Sequence, residues 1–100
     1  MSSQFALGEI HIADHVVASI AAAAAAKVPG IVFAGKQAQR KVLVQVDGSM
    51  TNIEMGITVR YGTIIQDACR TLQRAVTETV HALTGLEVKT VDVKVDHIAL

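Results

Sequence analysis

One hundred residues suffice for one domain, and 51% hydrophobic against 18% charged residues call for a packed core rather than disorder. Nine basic residues balance nine acidic ones, so no long-range field draws in nucleic acid, and 3% aromatics give RNA no stacking platform. A single cysteine excludes a disulfide framework or a cysteine metal cage within the chain.

Residues 1–7 read as a flexible lead-in and 8–100 as one domain. The opening MSSQFALGEI has no basic stretch followed by an apolar one, so no secretory signal is read and a cytoplasmic protein is expected. GEIHIA (8–13) alternates, with Ile10 and Ile12 on one side and Glu9 and His11 on the other, and predicts a short strand. Asp14 is placed to cap a helix running to about Val28, where Pro29-Gly30 stops it. Its uncharged run, Val16 to Ala26, is too short for the roughly 20 apolar residues of a membrane span. IVF (31–33) is a candidate short strand, followed by a polar connection. VLVQV (42–46) is a strand ending at the Asp47-Gly48 turn.

NIEMGITVRY (52–61) is the clearest strand, with Ile53, Met55, Ile57, Val59 and Tyr61 on the buried parity and Glu54, Thr58 and Arg60 on the wet one. A helix of about 20 residues follows, carrying an apolar stripe of Ile65, Ala68, Cys69, Leu72, Val76, Val80 and Leu83 and ending at Gly85. In LEVKTVDVKVDHI (86–98) the alternation changes phase, which predicts a bulge near Lys89-Thr90. The order strand, helix, strand, strand, helix, strand predicts an α+β, βαββαβ-like domain. Its three- or four-stranded, mainly antiparallel sheet would carry both helices on one face, as in split-βαβ domains.

Few residues offer chemistry. His11, His97 and Asp96 come near one sheet edge in this topology, a conceivable metal site whose spacing matches no standard zinc pattern. Cys69 sits at the edge of the apolar stripe and reads as a small core residue. No serine occupies a nucleophile elbow and no glycine spacing cradles phosphate, so no catalytic residue is assigned. Arg70, Arg74 and His81 share the outer face of the long helix with Asp67 and Glu78, either a docking line or a solvated face with pairs such as Asp67–Arg70. Thr58 and Arg60, with Asp92 and Lys94 on the last strand, are candidate contacts on the polar sheet face. On the first helix, Val16, Val17, Ile20, Ala21, Ala24 and Val28 cluster as the core side, leaving Ala18, Ala22, Ala25 and Ala26 on the opposite side without charge. Alanine is the best helix former, which is one account of that face; close approach of another subunit's helix is the other.

GEIHIADHVVASIAAAAAAKVPGIV (8–32), ITVRYG (57–62), the Cys69–Gln73 stretch and TGLEVKTVDVKVDHI (84–98) resemble the alkaline shock protein family of bacterial envelope-stress-response proteins. The resemblance implies a non-enzymatic domain without recognised catalytic residues or a cofactor. It also implies a cytoplasmic protein that often oligomerises, and in some members gathers at the membrane through a separate membrane-embedded protein partner. Its expected role is cell-envelope homeostasis and stress, with no nucleic acid and no span of its own. Some relatives are tied to the regulation of lipid synthesis, so the alternative is a small-molecule- or metal-binding regulatory module. The sequence departs from the family pattern in its short FAGKQAQRK connection, in Ala18 where charge is common, and in Lys27 where an acidic residue is common.

Overall fold

The computed structural model describes residues 8, 10–33 and 41–100; the lead-in and most of the 33–41 connection lie outside the described residues. In chain order the elements are α1 (Asp14–Ala26), β1 (Ile31–Val32), β2 (Val42–Asp47), β3 (Met50–Arg60), α2 (Ile65–Thr84) and β4 (Glu87–Ala99). Two helices and a four-stranded sheet make an α+β fold.

β3 is the axis of the sheet. β1 pairs antiparallel with its C-terminal end, Ile31 opposite Val59, and β2 with its N-terminal half, Val42 opposite Met55. β4 runs parallel along all of β3, from Met50 opposite Glu87 to Arg60 opposite Ala99. Since β4 pairs with the same β3 residues as β1 and β2, those two strands share one edge of β3 and β4 takes the other. A parallel neighbour needs a crossover, and α2 supplies it.

The order departs from expectation at its start. Residues 10–13 form no strand, and Ile10 is 87% exposed. Asp14 also differs from expectation: Ala13 holds the cap position without a side-chain bond, and Asp14 sits in the first turn, where its charge favours the helix dipole.

β4 slips register twice. Val88 pairs with Thr51 and Thr90 with Asn52, so Lys89 is the extra residue of the expected bulge. Val95 pairs with Ile57 and His97 with Thr58, making Asp96 a second one. Each extra residue resets which side chains face the core.

Both helices pack on one face: α1 against β2, β1 and α2, and α2 against β4. Ile53, Ile57 and Val59 from β3 meet Leu72, Val76 and Val80 from α2, all 1% exposed or less. Burying each such side chain contributes about 1.5–3 kcal/mol. Cys69 and Leu83 were expected in this stripe, but Cys69 is half-buried and Leu83 is exposed. The expected inward Tyr61 is 76% exposed, because β3 ends at Arg60 and the chain turns at Gly62 with φ 93°.

α1 brings the main correction. Ala25 is fully buried and Ala22 is 8% exposed, so the two alanines expected to face outward belong to the core. Ala21 and Ala24 are buried as expected, while Val16 is 40% exposed and Ile20 only half-buried. The buried arc runs through Ala24, Val17, Val28, Ala21, Ala25 and Ala22, rotated away from Val16 and Ile20. Ile20 and Ala24 line a groove shared with Thr71, Ala75 and Leu83 of α2, which leaves the Ala22–Ala25 side turned to the sheet. Small side chains there let the helix axis come close to the strands.

Candidate interaction surfaces

Opposite the helices, no described residue covers the sheet. The even residues of β3 point there, alternating with the buried Thr51, Ile53, Met55, Ile57 and Val59. Leu43 and Glu54 are cross-strand partners, as are Glu54 and Asp92, and Gly56 and Lys94. Thr90 donates from Oγ1 to Asn52 Oδ1 at 2.9 Å on the same face.

Gly56 forms the floor of an open groove of about 490 Å³, whose walls include Lys41, Leu43, Glu54, Asp92, Lys94 and Asp96. The second bulge builds this groove. Asp96, the extra residue, turns its carboxylate over Gly56, where a Cβ would collide with Oδ2. The Gly56 N–H donates to the Lys41 carbonyl at 3.0 Å, and Lys41 Nζ lies 3.9 Å from Asp96 Oδ2. A glycine interrupting a regular strand signals close approach of another group, and Gly56 is the sequence signal that could have found this spot.

The candidate contact residues divide between two surfaces. Thr58, Arg60, Asp92 and Lys94 share the open sheet face; Thr58 is half-buried and the other three are exposed. Arg70 and Arg74 are exposed on α2, in the helix layer, and the expected Asp67–Arg70 ion pair does not form. His81 turns its Nδ1 to the Leu86 carbonyl at 3.0 Å, which ties it to the α2–β4 connection rather than to a docking line. Ala26 is exposed and Ala18 half-buried, whereas Ala22 and Ala25, inside the protomer, cannot touch a partner. Ala23, which was not among the expected ones, is exposed as well, in the groove of about 470 Å³ between the helices.

Among the described residues no three His, Cys, Asp or Glu side chains gather so as to hold a metal ion, so His11, His97 and Asp96 do not form the conceived site. Burial pushes the Cys69 thiol above its ordinary pKa, which makes it a poor nucleophile near neutral pH. No helix of the described residues is long and apolar enough to cross a membrane.

One aliphatic side buried under two helices and one face of alternating charge define a small α+β domain, and its βαβ unit is not split as expected, because β4 lies directly beside β3 and parallel to it. Its backbone is similar to solved structures of MamM CTD: one covers 82% of this chain and 94% of its own, with a TM-score of 0.53 at 18% identity. A manganese form matches with a TM-score of 0.53 at 19% identity, covering 82% of this chain and 95% of its own, a likeness of fold. The chain belongs to the alkaline shock protein 23 family, described by its cell envelope-related function, which matches residues 2–100. Protein YloU of Bacillus subtilis (strain 168) is 31% identical over 106 residues, covering 91% of this chain and 88% of YloU.

Proposed function

We propose that this protein serves the cell envelope as a non-catalytic contact protein, self-associating and docking a membrane-embedded protein partner from the cytoplasmic side. The observation that supports it is the open sheet face. Thr58, Arg60, Asp92 and Lys94 stand there beside Glu54 and the groove over Gly56. Such a face presents charges at fixed strand spacing, which selects a partner by complementary charge. Arg70, Arg74 and Ala26 in the helix layer offer a second contact, so one copy can hold another and a partner at once.

Light scattering at low and high protein concentration tests self-association, and recovery with membranes from the native cell tests docking. The reading expects mass to rise with concentration. It also expects membrane recovery to fall for Arg60→Glu and to persist for Glu78→Gln on the helix side. A monomer at every concentration that carries stoichiometric zinc would replace it with a metal-binding regulatory module.

A further inference from the structure

β4 is the outermost strand on its side of the sheet, and among the described residues nothing pairs with the edge it turns away from β3. Its bonds fix which residues own that edge. Glu87 donates its N–H to the Ser49 carbonyl at 2.8 Å, and the Ala99 carbonyl accepts from the Tyr61 N–H at 2.7 Å, so both residues face inward. The N–H and C=O of one residue point the same way, and direction alternates along the strand. Counting from both ends, with one extra residue at each bulge, Thr90, Asp92 and Lys94 face β3 while Val91, Val93 and Val95 face outward. The Val91 carbonyl accepts from Gln73 Nε2 at 3.0 Å, a side chain of α2 satisfying a group that no strand reaches. Among the described residues, Val93 and Val95 have no such substitute.

The side chains of the regular run between the bulges, Thr90 to Val95, carry a self-complementary pattern. Asp92 and Lys94 flank Val93 on the open face. Asp92 also lies opposite Glu54 in register, two like charges with no cation paired to either among the described residues. Like charges directly opposite destabilise a sheet. A two-fold axis at Val93 would set a second β4 antiparallel to the first, with Asp92 of each copy opposite Lys94 of the other. A lysine would then stand beside the Asp92–Glu54 pair in both copies. Moving the axis one residue either way sets Asp92 opposite Asp92 or Lys94 opposite Lys94, so charge selects the register.

We propose that two copies of this chain join through the outer edges of β4, antiparallel about Val93, into one continuous sheet. The inference rests on the self-association reading above and names its surface and register. Gln73 then acts as a stopper, releasing the Val91 carbonyl to the partner's Val95 N–H.

Sedimentation velocity on the full chain tests this with Asp92→Lys, Lys94→Asp and their equimolar mixture, after circular dichroism has shown both to be folded. The wild type is expected to dimerise. Each variant alone is expected to dimerise roughly tenfold more weakly, because symmetry makes two like-charge contacts of every substitution. The mixture is expected to regain the wild-type dimer as a heterodimer, since two acids of one copy meet two lysines of the other. If the wild type associates and neither variant weakens it, or if the mixture fails to recover, the β4 pairing is wrong while self-association stands. The same holds if charge has no effect but removal of residues 1–9 abolishes association, which would put the second copy's N-terminal segment on the edge. A wild type that is monomeric throughout overturns both readings.

Discussion

The two helices lie on one face of one sheet, yet their sequences specify that position by opposite means. α2 separates its residues sharply: Ala68, Leu72, Val76 and Val80 are buried, and Arg70, Arg74 and Glu78 are exposed. α1 buries Val17, Ala21, Ala22, Ala24 and Ala25 while exposing Val16, Ala23 and Ala26. Polarity orients α2; in α1, where nearly every side chain is small and apolar, the neighbours decide. A helix with no charge beyond its first turn can be rotated to whichever side packs closest, and here Ala22 and Ala25 rather than Val16 and Ile20 won the core.

The strongest way to break that comparison is a charge on each side of α1. Ala25→Glu buries an unpaired carboxylate and is expected to cost about 3 kcal/mol or more, a large part of the ~5–15 kcal/mol available to a domain of this size. Ala23→Glu, two residues earlier and exposed, is expected to stay within about 0.5 kcal/mol. Thermal or urea unfolding reads both, and equal effects would mean that α1 is not oriented as described. In α2, Leu72→Ala is expected to cost about 2–5 kcal/mol, since Leu72 is fully buried and leaves a cavity. That loss should appear as a lower urea midpoint with an unchanged slope.

How far sequence alone reaches follows from the same contrast. α2, the alternation of β3 and the bulge at Lys89 are legible because strong polarity contrasts repeat at fixed spacing and the phase visibly breaks. The facing of α1 is not, since alanine carries no polarity to read. GEIHIA alternates like a strand, yet residues 10–13 form none, because alternation sets only a parity and the fold decides what pairs. The bulge at Asp96 leaves a fainter mark, the step from Val93 and Val95 to Ile98, where the apolar parity changes once more. Gly56, over which the Asp96 carboxylate sits, is a second trace. Of the candidate contacts, Thr58, Arg60, Asp92 and Lys94 were legible because a wet strand face shows directly in the sequence; Lys41 and Asp96 needed the fold to bring them together.

Smaller effects sharpen the picture on the sheet side. Gly56→Ala is expected to cost about 1 kcal/mol while Asp96 is present, because the carboxylate must leave its place over the glycine. In an Asp96→Ala background the cost should vanish, a coupling of at least about 0.5 kcal/mol in a double-mutant cycle. If the two substitutions simply add, the bulge does not hold its carboxylate over Gly56. The smallest effect belongs to Cys69. Its raised pKa means that the folded chain holds the thiol proton more tightly than the unfolded chain. The stability this contributes is complete below the ordinary thiol pKa and fades as pH rises through the raised one. Alkylation near neutral pH is therefore expected to be slower than in urea-unfolded protein, and equal rates would place Cys69 in open solvent.

The central claim is that this protein works by contact between copies and with a partner. Sedimentation equilibrium of the wild-type chain over a broad concentration range meets that claim most directly. The account predicts a reversible shift from monomer to dimer with rising concentration. A mass that stays at one protomer, 10.6 kDa, across the whole range would contradict it.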